Sequence, residues 1–410
     1  MEVVMGEWDE QEILLRARER SAAGSLRASK AQAAYLAVQR TALEQMAAVI
    51  RLQSGQTEPP QTVLFDTPAL EEFATGSLAR CLGEAYHVFD HRRAPRIPNG
   101  ALLLMSRVLE IEGEVGNFKR PGNITVEYDV PGDAWYWRDD LQDVPFSVLM
   151  EIALQPCGFL SASLGALMLF PQEDLYFRNL DGQARLLKRV DLRDQTITTR
   201  ARLLSTLSSG GIVIQRFAFR LFCRGEEFFA GESSFGYFSA AMMAAQNGLD
   251  QGRQTAPAFS GEWKPLESRH ALDLLSQYGL QPGENRIAAR RLMRTDDWYF
   301  ACHFYQDPVM PGSLGVEAAF QALKVLAKER GLLQIYSQPV FRLVEQAVLT
   351  WKYRGQVLPA NAVMNLTAAL EKVEVLAGRT VLTASADIWS DNLRIYHLDQ
   401  VSLEIVEGGQ

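Results

Sequence analysis

Residues 298 to 317 read Trp-Tyr-Phe-Ala-Cys-His-Phe-Tyr-Gln-Asp-Pro-Val-Met-Pro-Gly-Ser-Leu-Gly-Val-Glu. An imidazole (His303), a Pro-Gly step (Pro311, Gly312) and a carboxylate (Glu317) therefore share one short stretch. Imidazole has an ordinary pKa of roughly 6.5, so it can take up and release protons near neutral pH. Proline is favoured at a helix start. A helix beginning after Pro311 would present the amides of Gly312 and Ser313 at the positive end of its dipole. Such amides suit a carbonyl oxygen gaining negative charge. The spacing predicts an aromatic strand ending near His303, a tight loop through Asp307 and Pro308, and then that helix, with a base and an oxyanion donor side by side. By residue type alone, a lone histidine is also compatible with a structural or surface role.

Composition narrows the field in which this chemistry would operate. The chain has 410 residues, enough for two or three domains, and its 47% hydrophobic content is that of a globular protein with a sizeable core. A net charge of −8 argues against a nucleic-acid-binding surface, which needs clustered Lys and Arg. Partners are expected to be proteins or small molecules. Cys81, Cys157, Cys223 and Cys302 are far apart and form no Cys-x-x-Cys pair, so neither a zinc site nor a disulfide framework is expected, and a reducing cytoplasm fits best. The N-terminus lacks the pattern of a signal peptide, and no run of about 18 uncharged apolar residues suggests a membrane span. Phosphate loops, Ser-His-Asp elbows and His-Glu-x-x-His zinc signatures are absent from the sequence.

Four segments follow from residue type and period. Residues 8 to 53 are rich in Ala, Leu, Arg, Glu and Gln, and apolar positions such as Ile13, Leu14, Leu36, Leu43 and Ile50 predict a helical arm, with Gly24 a weak point. Ser54 to Pro68 reads as a linker, so residues 1–69 form an arm and linker. Asn123 to Val130, Thr196 to Leu204, Ile212 to Phe222 and Glu227 to Ser239 read as strands. Residues 247–265, holding Gly248, Gly252, Pro257, Gly261 and Pro265, read as a second linker between segments 70–246 and 266–410.

The two segments repeat one another. Trp135-Tyr136-Trp137 parallels Trp298-Tyr299-Phe300, and Pro145-Phe146-Ser147-Val148-Leu149-Met150-Glu151 parallels Pro311-Gly312-Ser313-Leu314-Gly315-Val316-Glu317. Each glutamate is followed four residues later by glutamine, Gln155 and Gln321, on the same helix face. Aligning the aromatic triplets puts Asp140 near the place of His303, so the first copy lacks the imidazole. Pro156 within the first helix removes one helical hydrogen bond.

The run His303-Phe304 through Asp307-Pro308-Val309-Met310-Pro311-Gly312 resembles the active-site motif of the FabA-like β-hydroxyacyl-acyl-carrier-protein dehydratases. The resemblance extends over roughly residues 284 to 405 through Trp351-Lys352-Tyr353-Arg354-Gly355-Gln356-Val357-Leu358-Pro359. It recurs in the first copy through Ala94-Pro95-Arg96-Ile97-Pro98, the stretch from Leu102 to Val108 and Gly116-Asn117-Phe118. The tandem arrangement, and Val148 to Gly158 in particular, is similar to the dehydratase regions of polyunsaturated fatty acid synthases and related iterative polyketide synthases. The resemblance implies an α+β double hotdog, in which two antiparallel sheets each wrap a central helix and pair as a pseudo-dimer.

It further implies removal of water from (3R)-hydroxyacyl thioesters on an acyl carrier protein, without a dissociable cofactor, beside neighbouring synthase domains. His303 would transfer the proton, the Val309 carbonyl would orient its ring, and the Gly312 amide would polarise the thioester. Because such sites are shared between two hotdogs, His303 would meet Glu151, with Gln155 one turn away. Glu317 and Gln321 would face the site that has no histidine. Many close members have Asp at the acidic position and Cys where this chain has Ser313, so dehydration is favoured over isomerisation. A bifunctional dehydratase/isomerase, a hotdog thioesterase and a non-catalytic acyl-binding scaffold are the alternatives. His87, His91, His270 and His397 lack a comparable context. Arg286, Arg290, Arg291 and Arg294 read as a solvated face rather than a carrier-protein contact.

Overall fold

Asp66 accepts a hydrogen bond from the Ala69 amide at 3.1 Å and caps a short helix, α1 (Thr67–Thr75), near the start of the described residues, 62–280 and 285–408 of a computed structural model. The expected helical arm and most of the linker before it fall outside those residues. The linker's last positions are ordered: Phe65 bridges Val108, and α1 begins before Leu70. Pro145 and Pro311 each lead into an 18-residue helix, α2 (Phe146–Ser163) and, after a one-turn helix α3 (Trp298–Cys302), α4 (Gly312–Glu329).

The strands run in chain order as β1 (Arg107–Glu112), β2 (Gly122–Asp129), β3 (Leu175–Leu186), β4 (Thr196–Ser209), β5 (Ile212–Cys223), β6 (Glu226–Ser239), β7 (Lys264–Pro265), β8 (Gln277–Leu280) and β9 (Arg286–Leu292). They continue as β10 (Pro339–Leu343), β11 (Leu349–Tyr353), β12 (Val363–Leu376), β13 (Arg379–Ser390) and β14 (Leu393–Glu407). Buried residues alternate along β2, β5 and the first part of β12, as expected of strands with one face on a core.

All of these strands join one sheet in the order β1-β2-β4-β5-β6-β3-β11-β14-β13-β12-β9-β8-β7, with β10 paired to β14. Outward from its centre, the order is the same on both sides: β3, β6, β5, β4, β2 matches β11, β14, β13, β12, β9. Each half curls around its own helix, α2 or α4, so the molecule is an α+β double hotdog. The halves meet where β3 runs antiparallel to β11, with Gly182 opposite Trp351. A Cβ on Gly182 would lie 2.1 Å from Trp351 Cζ2, so only glycine lets the indole cross this seam.

Both central helices are packed inside the protein. α2 is long and apolar enough to cross a membrane by composition, but 83% of it is buried here as the core of its sheet. Pro156 does not end it: the helix runs on to Ser163.

Three features differ from the sequence reading. Trp298-Tyr299-Phe300 forms the helical turn α3 rather than a strand. β-propensity depends on having a strand to pack beside, and this segment instead turns locally, with the Phe300 amide donating to the Asp297 carbonyl. β3, the strand at the seam, is absent from the sequence expectations. Residues 247–263 carry no helix or strand, and Lys264–Pro265, read from the sequence as the end of the second linker, form β7 at the sheet edge.

Candidate active site

His303 ends α3. Its amide donates to the Tyr299 carbonyl at 2.9 Å, and its carbonyl accepts from the Val309 amide at 2.8 Å. Phe304 and Asp307 exchange two backbone hydrogen bonds of 3.1 Å each, closing the loop between them. This geometry points the ring nitrogen Nδ1 at the Val309 carbonyl, 3.0 Å away. A carbonyl can only accept, so Nδ1 carries the hydrogen and Nε2 holds the free lone pair. The ring is 9% exposed, and burial pulls its pKa down to about 4, against the opposing Val309 hydrogen bond. His303 is therefore neutral at neutral pH.

α4 starts beside this ring. Pro311 occupies the N-cap position and offers no side-chain cap, and the first-turn amides of a helix have no intrahelical acceptor. Gly312 is the first helical residue. A Cβ there would lie 2.6 Å from the Tyr353 ring, whose hydroxyl donates to the Gly312 carbonyl at 3.1 Å. Bare backbone is thus required at the point where Gly312 borders the cavity.

The carboxylate at this cavity comes from the other half. Glu151 Oε1 accepts from Ser313 Oγ at 2.6 Å, and Oε2 accepts from Gln155 Nε2 at 3.2 Å. Gln155 is itself fixed: its Oε1 accepts from the Leu104 amide and its Nε2 donates to the Leu102 carbonyl. Burial raises the Glu151 pKa, while the Ser313 and Gln155 hydrogen bonds pull it down; the net direction is up. His303, Glu151, Gln155, Val309, Gly312 and Ser313 all line one cavity.

The pseudo-equivalent place is built differently. Ser147 Oγ donates to Glu317 Oε2 at 2.8 Å, mirroring the Ser313–Glu151 bond, so each central helix hydrogen-bonds the other's glutamate. Asp140, however, pairs with Arg138 at 2.8 Å and with Lys324 at 2.9 Å. Phe146 replaces Gly312, and its ring packs on Phe229 and Phe320. Gln321 accepts from the Leu274 and Leu275 amides. Neither Glu317 nor Gln321 lines the His303 cavity.

Sequence reasoning missed Arg178 on β3. Its guanidinium grips Asp307 of the histidine loop through two bonds of 2.6 and 2.9 Å, and its Nε donates to Gln356 at 2.7 Å. The first half thereby holds the loop of the second. The only signal in the sequence is one cation following Leu175-Tyr176-Phe177. The other histidines are away from this cavity: His270 contacts the Trp137 carbonyl, and His397 pairs with Asp387 and Asp399. Arg291 is not a solvated residue; it pairs with Asp297, which is 8% exposed.

The hotdog pair thus brings together a buried imidazole, an uncapped helix start and a carboxylate from the opposite helix. Residues 270–399, about a third of the chain, match the model of the FabA-like domain. Over 386 aligned residues the chain is 30% identical to one of the polypeptides of the polyunsaturated fatty acid synthase from Thraustochytrium sp., a match covering 83% of this chain. It spans about a quarter of that relative's length, 26%. Among solved structures, a GphF dehydratase variant aligns with a TM-score of 0.40 at 11% identity, over 73% of this chain and 97% of that one. The 12:0-ACP thioesterase from Umbellularia californica aligns at 0.40 and 12%, over 69% and 93%.

Proposed function

We propose that this chain is a lyase that removes water from 3-hydroxyacyl thioesters carried on the phosphopantetheine arm of an acyl carrier protein, giving trans-2-enoyl chains, as part of a larger synthase. The observation that carries this reading is the composite site: His303 of the second half and Glu151 of the first line one cavity beside the Gly312 helix start.

Each group has a chemical task set by its surroundings. With the thioester carbonyl accepting from the Gly312 amide, negative charge developing on that oxygen is stabilised and the C2 proton is acidified. His303 Nε2 removes this proton, while Val309 keeps the opposite edge of the ring occupied. The C2–H electron pair becomes the C2–C3 double bond as the C3–O bond breaks, and protonated Glu151 supplies the proton that lets the hydroxyl leave as water. The proton held on His303 then returns to Glu151, which resets the site. Burial pushes both groups toward their neutral forms, as this division of labour requires. No equivalent imidazole accompanies Glu317, so we assign one competent site per chain, with 70–246 and 266–410 as its two contributing halves.

Mass-spectrometric analysis of purified protein with 3-hydroxyacyl pantetheine thioesters tests the assignment. Loss of the mass of water, with product eluting as the trans-2-enoyl species, is expected. Recovery of the free acid would instead identify a thioesterase, and unchanged bound substrate would identify an acyl-binding scaffold.

A further inference from the structure

Phe177 and Phe235 are among the rings that border the cavity beside His303. The α2 residues that border it, Met150, Glu151, Leu154, Gln155 and Gly158, recur every three to four residues in adjacent pairs and form one stripe about two turns long. Gly158 is the last of them, and a Cβ there would sit 3.4 Å from Phe177 Cε1. Phe177 of β3 lies flat against Phe235 of β6, with ring centroids 5.0 Å apart and planes 2° from parallel. The two are diagonal neighbours across the strand pair, since Phe177 faces Tyr237 and Asn179 faces Phe235. Tyr237 packs on Phe177 at 4.9 Å, and Phe217 supports Phe235 edge-on at 5.8 Å. Beyond this stack, near the end of α2, the fully buried Ser161 hydroxyl is hydrogen-bonded to Gln215 and Tyr237. An apolar tail entering there would have to break satisfied buried hydrogen bonds, at a cost that apolar contact does not return.

We propose that the Phe177–Phe235 stack, facing Gly158, is the chain-length stop of the acyl cavity. This inference rests on the dehydration reading above. A short acyl tail ends against the rings, whereas a long one must displace Phe177, so discrimination by length resides in the first half of the chain, far in sequence from His303.

The test compares kcat/KM for 3-hydroxybutyryl- and 3-hydroxydodecanoyl-pantetheine on the full chain and on Phe177→Ala, Phe235→Ala and the milder Phe177→Leu. The expected result is a rise of roughly tenfold or more in the long-to-short ratio for Phe177→Ala, the scale on which a methylene-sized change in a pocket discriminates. Phe177→Leu should move the ratio in the same direction by less, which keeps the test decisive if the alanine variants fold poorly. Short-chain turnover preserved with an unchanged ratio in the Phe177 variants would overturn the stop while leaving dehydration standing. A wild-type protein that dehydrates neither substrate would overturn the dehydration reading, and the stop with it.

Discussion

At the scale of single residues, the proposed dehydration rests on burial acting on two ionisable groups in opposite senses. As the proposed base His303 needs its lone pair free, and with a pKa of about 4 it stays unprotonated down to weakly acidic pH. As the proposed acid Glu151 needs its proton, and burial holds its pKa above the ordinary value. The pH profile of kcat/KM should therefore rise through an acid limb set by His303 and fall through an alkaline limb set by Glu151. Ser313→Ala removes a hydrogen bond that favours the Glu151 carboxylate, so the alkaline limb should move to higher pH; a profile that stays put or moves down would separate that limb from Glu151. His303→Ala and Glu151→Gln should each cost roughly two to four orders of magnitude in kcat, the range for loss of a positioned acid or base. The imidazole and its motif were legible in the sequence because their spacing fixes a loop and a helix start. The depression of the imidazole's pKa was not, because it depends on burial by residues distant in the chain.

At the scale of elements, the seam between β3 and β11 fixes one half of the site relative to the other. Arg178 reaches across it to Asp307, and Gln356 holds the same guanidinium. Arg178→Met should release the histidine loop, lowering kcat more than it raises KM and shifting the acid limb, while Arg178→Lys, which keeps the charge but not the two-pronged grip, should restore activity only in part. An unaltered acid limb in both variants would reduce Arg178 to a structural tie. Gly182→Val should destabilise the fold by about 1–3 kcal/mol or more, since the new side chain meets the Trp351 indole, as thermal unfolding would show. The seam is also where sequence reading failed. β3 carries Arg178, Asn179, Asp181 and Gly182 in place of an alternating apolar pattern, because these residues serve Asp307, Trp351 and Arg354 of the other half rather than the strand's own face. α2 and α4 were legible because each follows a proline and keeps the Glu-to-Gln spacing of one helical face. The aromatic triplet at 298–300 was misread because its ring-rich composition suits a strand, yet among the described residues no strand pairs with it and it forms a helical turn.

At the scale of the whole molecule, two halves of the same strand order carry different side chains at corresponding places. The Ser-to-Glu hydrogen bonds run both ways between the central helices, in keeping with a two-fold arrangement. One of the two positions holds an imidazole, His303; the other holds the Asp140–Lys324 ion pair. Stability should report the same asymmetry. Between pH 6.5 and about 4 the unfolded chain binds a proton that buried His303 refuses, so acidification through this window should cost the wild type up to about 3 kcal/mol, and His303→Gln should lack that component. Glu151 acts in the opposite sense, its contribution declining as pH rises above the ordinary carboxylate value, and Glu151→Gln isolates it. The most direct test is enoyl-product formation by His303→Ala, Glu151→Gln and Glu317→Gln beside the wild type, with folding checked by circular dichroism. One composite site predicts that the first two variants lose the product and that Glu317→Gln keeps it. Full activity in Glu151→Gln together with loss in Glu317→Gln would contradict the pairing of His303 with the opposite half.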